Sequence, residues 1–131
     1  MTMPANDAIG KLLLRLTIAF LMLPHGIAKV TGGVDPIAGM LTAIGVPGFV
    51  AYGVWIGEIV APVMLIAGYY ARVAAAIIVI NMIIAIGLVH SSQLLDFTEL
   101  GGFRLDSQYF YLFTSLAAML LGPGRYAVND K

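Results

Sequence analysis

The chain has 131 residues, 60% hydrophobic and 11% charged, with seven basic against seven acidic side chains and a mean hydropathy of +0.95. A soluble domain carries roughly a quarter charged residues to cover its surface, so this composition excludes one and reads as an all-α integral membrane protein. Zero net charge excludes the basic footprint of nucleic-acid binding, and the absence of cysteine excludes disulfides, thiolate metal sites and iron–sulfur clusters.

A helix crosses the hydrocarbon core with about 20 apolar residues. The first predicted span is 8–28, with Asp7 as its N-terminal cap. Its outline resembles a signal peptide ending at Gly26-Ile27-Ala28, but Pro24 and His25 sit awkwardly in a cleavage region, so the segment is expected to stay as a span. Arg15 falls in its inner third, and Lys11, one turn nearer the cytoplasm, already serves as a snorkelling anchor. Pro24 removes a backbone donor, freeing the Phe20 carbonyl, and Gly26 loosens the next turn. That places His25 in a broken turn near the outer mouth. Lys29 lies one turn further on the same face, and the pair is suited to share an anionic or carbonyl-bearing ligand. A kink that merely lets the chain leave the membrane is the competing reading.

After Pro36, the residues Ile37, Met40, Leu41 and Ile44 recur at helical spacing, which predicts a short helix on the outer membrane surface. The second span is 47–70. Glu58 stands near its middle, inside an otherwise apolar run from Val46 to Tyr70. Burying a carboxylate unpaired is costly, so an intramembrane acid is a functional-site hypothesis that requires a partner. Two readings stay open: a proton carrier or ligand acceptor, and a bundle-fixing ion pair with Arg15 as the expected partner.

The third span, 72–90, follows almost without a connection. Asn81 lies at its midplane as the expected hydrogen-bond partner of Glu58, and His90 closes it. His25 and His90 at similar depth could clamp a haem b, but with one histidine per helix this is the weaker reading. The connection from Ser91 to Asp106 carries Leu94, Leu95, Phe97 and Leu100 and is expected to fold over the outer mouth. A short fourth span, 107–121, brings Gln108 to the outer end and stops at Gly122-Pro123-Gly124. Lys11, Arg15, Arg72, Arg125 and Lys131 fall on one side, against Lys29 and Arg104 on the other. The positive-inside rule then gives a single four-helix bundle over 1–131, N-in/C-in.

The predicted site has Glu58 and His25 as catalytic residues. Arg15, Lys29, Asn81, His90 and Gln108 are its ligand-binding residues, and no metal site is expected.

With these residues in place, the sequence resembles the DoxX family of small bacterial membrane proteins. The likeness rests on Arg15, His25-Gly26, Lys29, Gly45-Val46-Pro47-Gly48-Phe49, Glu58, Arg72-x-Ala74-Ala75 and Leu121-Gly122-Pro123-Gly124-Arg125-Tyr126. Two departures stand out: Ile59-Val60-Ala61-Pro62 replaces a common glycine cluster, with Pro62 placed to kink the helix below Glu58, and Ala127 replaces a usual serine. The resemblance implies a bacterial inner-membrane protein that is a component of a quinone-linked oxidoreductase, with a quinone or other hydrophobic small molecule as ligand. A membrane or peripheral redox subunit as partner, and an oligomer, are compatible with it. The alternative is a non-enzymatic membrane anchor or small-molecule-binding subunit of a stress-response or redox complex. A transporter ranks last, because four spans are few for a carrier.

Overall fold

The structure, a computed structural model, describes residues 5–89 and 91–131. Its helices are α1 (Ala5–Gly32), α2 (Asp35–Ala43), α3 (Gly53–Trp55), α4 (Ala61–Ala67), α5 (Ala71–Val89) and α6 (Asp106–Leu121). A 3₁₀ stretch, Gly48–Tyr52, leads into α3, and a π-helical stretch, Ile56–Val60, joins α3 to α4. The result is one helical run from Gly48 to Ala67. Among the described residues, three helices are long and apolar enough to cross a membrane: Ala5–Gly32, Gly48–Ala67 and Ala71–Leu88. α6 has 16 residues. The single strand-like pairing among the described residues is the bridge between Phe97 and Phe103.

The apolar periodicity explains the packing. α1 buries Ala8, Arg15, Ile18, Ala19, Met22 and Gly26 along one stripe. Its opposite side presents Leu13, Phe20, Leu21 and Ile27 outward, an apolar face suited to lipid rather than water. α5 buries Ala71, Ala74, Ala75, Ile78, Met82 and Ile86 on one face. Its alanines let α6 approach closely with Ser115 and Ala118, the small-residue packing that holds apolar helices together.

One end of the molecule is closed by the turn after α4 and by the C-terminal tail. Gly68 ends α4 in the left-handed region, with φ of 72°. The tail returns to this turn: Val128 N–H donates to the Ala67 carbonyl, Asn129 N–H to Gly68, and Arg72 N–H to Lys131. Arg72 Nη1 donates to the Met119 and Leu120 carbonyls at the end of α6, so α5 and α6 run antiparallel. Arg15 does the same for α4 through the Leu65 carbonyl. Each arginine thus sits at a helix C-terminus, where the helix dipole favours a cation.

At the opposite end, α2 is pinned by Val34, Leu41 and Ala51, packed with Val54, Trp55 and Leu88. The helix expected after Pro36 is therefore present, with the proline in its first turn.

Three expectations need correction. Asp7 is no cap: α1 already includes Ala5, and Asp7 contributes its charge inside the first turn. α1 is not broken at Pro24 but continues through it to Gly32. No described residue of the second connection lines the interior cavity, to which α2 instead contributes Ile37, Met40 and Leu41. Leu95 and Leu100 in that connection point away, 79% and 99% exposed.

Candidate functional site

The π stretch has a sequence cause. Pro62 has no N–H, so the Glu58 carbonyl loses its usual donor one turn on. The Ala61 N–H instead reaches back to the Ile56 carbonyl, five residues away. This widened turn carries Glu58, and π-bulges of this kind are frequent at functional sites. The sequence reading placed a kink near Pro62; the structure resolves it as a bulge at Glu58 itself.

Two glycines let this turn sit where it does. A Cβ on Gly26 would lie 2.3 Å from the Glu58 carbonyl oxygen and 2.6 Å from Ile59 Cγ1. Gly26 is therefore the contact point of α1 with the π stretch, rather than a loosened turn. A Cβ on Gly57 would lie 2.7 Å from the Asn81 side chain, so Gly57 leaves room for Asn81 to reach the carboxylate. Gly26→Ala has to push two backbones apart and is expected to cost about 1–3 kcal/mol, the range for overpacking. Thermal unfolding in a fixed detergent measures it, and an unchanged midpoint would show that the contact is not tight.

Glu58 is buried, with 4% of its side chain exposed. Its Oε1 accepts from Lys29 Nζ at 2.6 Å, and its Oε2 accepts a long bond from Asn81 Nδ2 at 3.4 Å. The expected pairing with Arg15 is thus corrected: the partner is Lys29. Arg15 lies at the other end of α4, donating from Nη1 to Leu65 at 2.7 Å and from Nη2 to the Tyr126 carbonyl. The reason is geometric. Gly26 brings the C-terminal part of α1 against Glu58, and Lys29 stands one turn beyond it. The Lys29 side chain is 32% exposed, so the pair bridges a buried acid and a partly solvated ammonium.

The pair opens on a cavity of about 530 Å³. Glu58, Lys29, His25, Asn81 and Gln108 all line it. Five of the seven residues expected at the site therefore meet around one space. Arg15 is not among the lining residues, and His90 lies outside the described residues. The cavity walls are apolar, with Met22, Val54, Ile77 and Leu88, and Ile37 and Met40 of α2 contribute from above. A few converging polar groups on an apolar wall are the usual makeup of a small-molecule site.

The sequence reading missed Ser107 and Tyr111, which also line the cavity. The Tyr111 hydroxyl donates to the Leu21 carbonyl at 2.8 Å, tying α6 to α1 just below the proline. Its ring meets His25 edge-on, with centroids 5.9 Å apart. The signal was available: Ser107, Gln108 and Tyr111 are spaced to share one face of a helix. Among the described residues, no group of three or more His, Asp or Glu side chains could hold a metal ion.

The family model DoxX matches residues 10–91, which include Arg15, His25, Lys29, Glu58 and Asn81. No curated protein and no solved structure matches the chain. With well over half its length under that match, and with the Glu58 turn and its α1 partners inside it, the chain belongs to the DoxX family.

Proposed function

We propose that this DoxX protein spans the bacterial inner membrane four times, N-in/C-in, with α6 as the fourth span. In this reading it serves as the quinone-binding component of an oxidoreductase. The observation that carries it is the single cavity in which Glu58, Lys29, Asn81, His25, Gln108 and Tyr111 converge on apolar walls. A quinone ring is flat and apolar, with a carbonyl at each end. Lys29, Asn81 or Gln108 can donate to such a carbonyl. Glu58 and His25 are the groups able to exchange the protons that accompany reduction to a quinol, while a partner redox subunit supplies the electrons.

The test is binding of a methoxybenzoquinone to the purified protein in lipid nanodiscs. One ring per chain is expected; Lys29→Met, which removes a charged donor to a ring carbonyl, should weaken it about ten-fold or more, and Glu58→Gln should lower the proton uptake that accompanies reduction. No binding to the unaltered protein would overturn the proposal.

The closed Lys29–Glu58 pair favours a second reading, in which the acid clamps α1 to the π stretch and the protein is a non-enzymatic binding subunit or anchor. A ring that binds without proton uptake on reduction, together with stoichiometric recovery of a soluble redox enzyme, favours that alternative.

A further inference from the structure

A groove of about 330 Å³ runs between α1 and α6, with Gly10, Leu13 and Leu21 on one side and Phe110, Tyr111 and Thr114 on the other. Its chemistry is hydrocarbon. The Thr114 hydroxyl is turned back on the Phe110 and Tyr111 carbonyls, which leaves no demand for a polar guest there. From Gly10 to Leu21 the groove covers about 16 Å along α1, at 1.5 Å per residue. Leu13, Leu21 and Phe110 keep half or more of their surface exposed along its edges, so it opens sideways.

Tyr111 lines both this groove and the Glu58 cavity. One side chain therefore stands at the junction of a polar and an apolar compartment, held by its bond to the Leu21 carbonyl and its contact with His25. The two spaces also follow one another along α1: Leu14, Ile18 and Leu21 below, Met22, His25 and Lys29 above.

We propose that the groove and the cavity are the two halves of one binding site. The groove takes the hydrocarbon chain of a ligand whose polar ring lies in the cavity, and Tyr111 stands where the ring and the chain meet. The inference rests on the binding role proposed above and adds to it the class of ligand, a ring bearing a long apolar chain, and the direction of entry, sideways from the bilayer between α1 and α6.

The probes are a methoxybenzoquinone without a side chain and the same ring bearing a decyl chain. Gly10→Phe is the variant chosen to occupy the groove, since a Cβ at Gly10 meets nothing within 4 Å. With the probe counted per lipid, so that partition into the bilayer cancels, the chain is expected to tighten binding to the unaltered protein by about ten-fold, because a fitted groove packs it beside the ring. Gly10→Phe should erase that gain and leave affinity for the bare ring unchanged. A photoreactive group at the chain's end should label 10–21 of α1 or 110–114 of α6. If the bare ring binds and the chain adds nothing, or if label falls elsewhere, the inference fails while the binding role stands. If neither probe binds, both fail. If Gly10→Phe changes only the oligomeric mass, the groove is a seat for a second copy and the inference is overturned.

Discussion

Arg15→Met is expected to lower the thermal midpoint in detergent and to release the C-terminal tail, while the Glu58 cavity is left in place. The Arg15 side chain is fully enclosed, 1% exposed. Its two amino groups donate to the Leu65 carbonyl at the end of α4 and to the Tyr126 carbonyl in the tail. A charge-assisted hydrogen bond contributes about 1.5–3 kcal/mol. Two such bonds are offset in part by the cost of holding a cation out of water. A net loss of about 3 kcal/mol is therefore expected, enough to dominate the stability of a chain of this size.

The tail gives a second readout. Gly68 has no side chain because a Cβ there would fall 2.6 Å from Arg15 Nη1 and 2.4 Å from the Ala127 Cβ. Arg15, Gly68 and the tail thus form one packed unit. Trypsin should cut after Arg125 faster in Arg15→Met than in the unaltered protein. Arg15→Lys should recover less than half of the loss, because a compact ammonium does not span both carbonyls in the way the guanidinium fork does. An unchanged midpoint and an unchanged cleavage rate would show that the buried arginine is incidental to the fold.

That role for Arg15 marks where sequence reading stopped. Helix positions were legible because apolar period and glycine punctuation are local signals. The helix after Pro36 and the turn at Gly68–Tyr70 fell close to where they were expected. Convergence of His25, Lys29, Glu58, Asn81 and Gln108 was legible too, because residues at matching depth on neighbouring helices tend to meet. The choice of partner for Glu58 was not. Depth pointed to Arg15, and the choice of Lys29 came from Gly26, whose missing Cβ lets the C-terminal part of α1 touch the Glu58 backbone. The π stretch was hidden for a related reason. Pro62 announces a lost hydrogen bond, but whether a helix bends or widens in response depends on what packs beside it. The place of α2 beside the cavity was equally hidden, since an amphipathic segment does not say which surface it will cover.

The sharpest test of the Glu58 pair is an ordering of three variants. Lys29→Met leaves the Glu58 carboxylate buried, with only the long Asn81 bond to answer it. Orphaning a buried charge costs about 3–5 kcal/mol. Because Lys29 is one-third exposed, part of its attraction is already screened by solvent, which puts the expected loss near the lower end, about 3 kcal/mol. Glu58→Gln leaves the opposite orphan, but a Lys29 ammonium can swing toward the open side of the cavity and hydrate. Its loss is expected to be about 1 kcal/mol, since an amide still accepts from Asn81. The double variant Lys29→Met with Glu58→Gln removes both charges and should lie closer to Glu58→Gln than to Lys29→Met. Adding Glu58→Gln to Lys29→Met is thus expected to restore stability, a sign that independent contributions do not produce. Unfolding midpoints for the set, measured in one detergent, decide it. Equal losses for the two single changes that simply add in the double would mean that the 2.6 Å contact carries no coupling, and the acid would then have to be explained by the cavity alone.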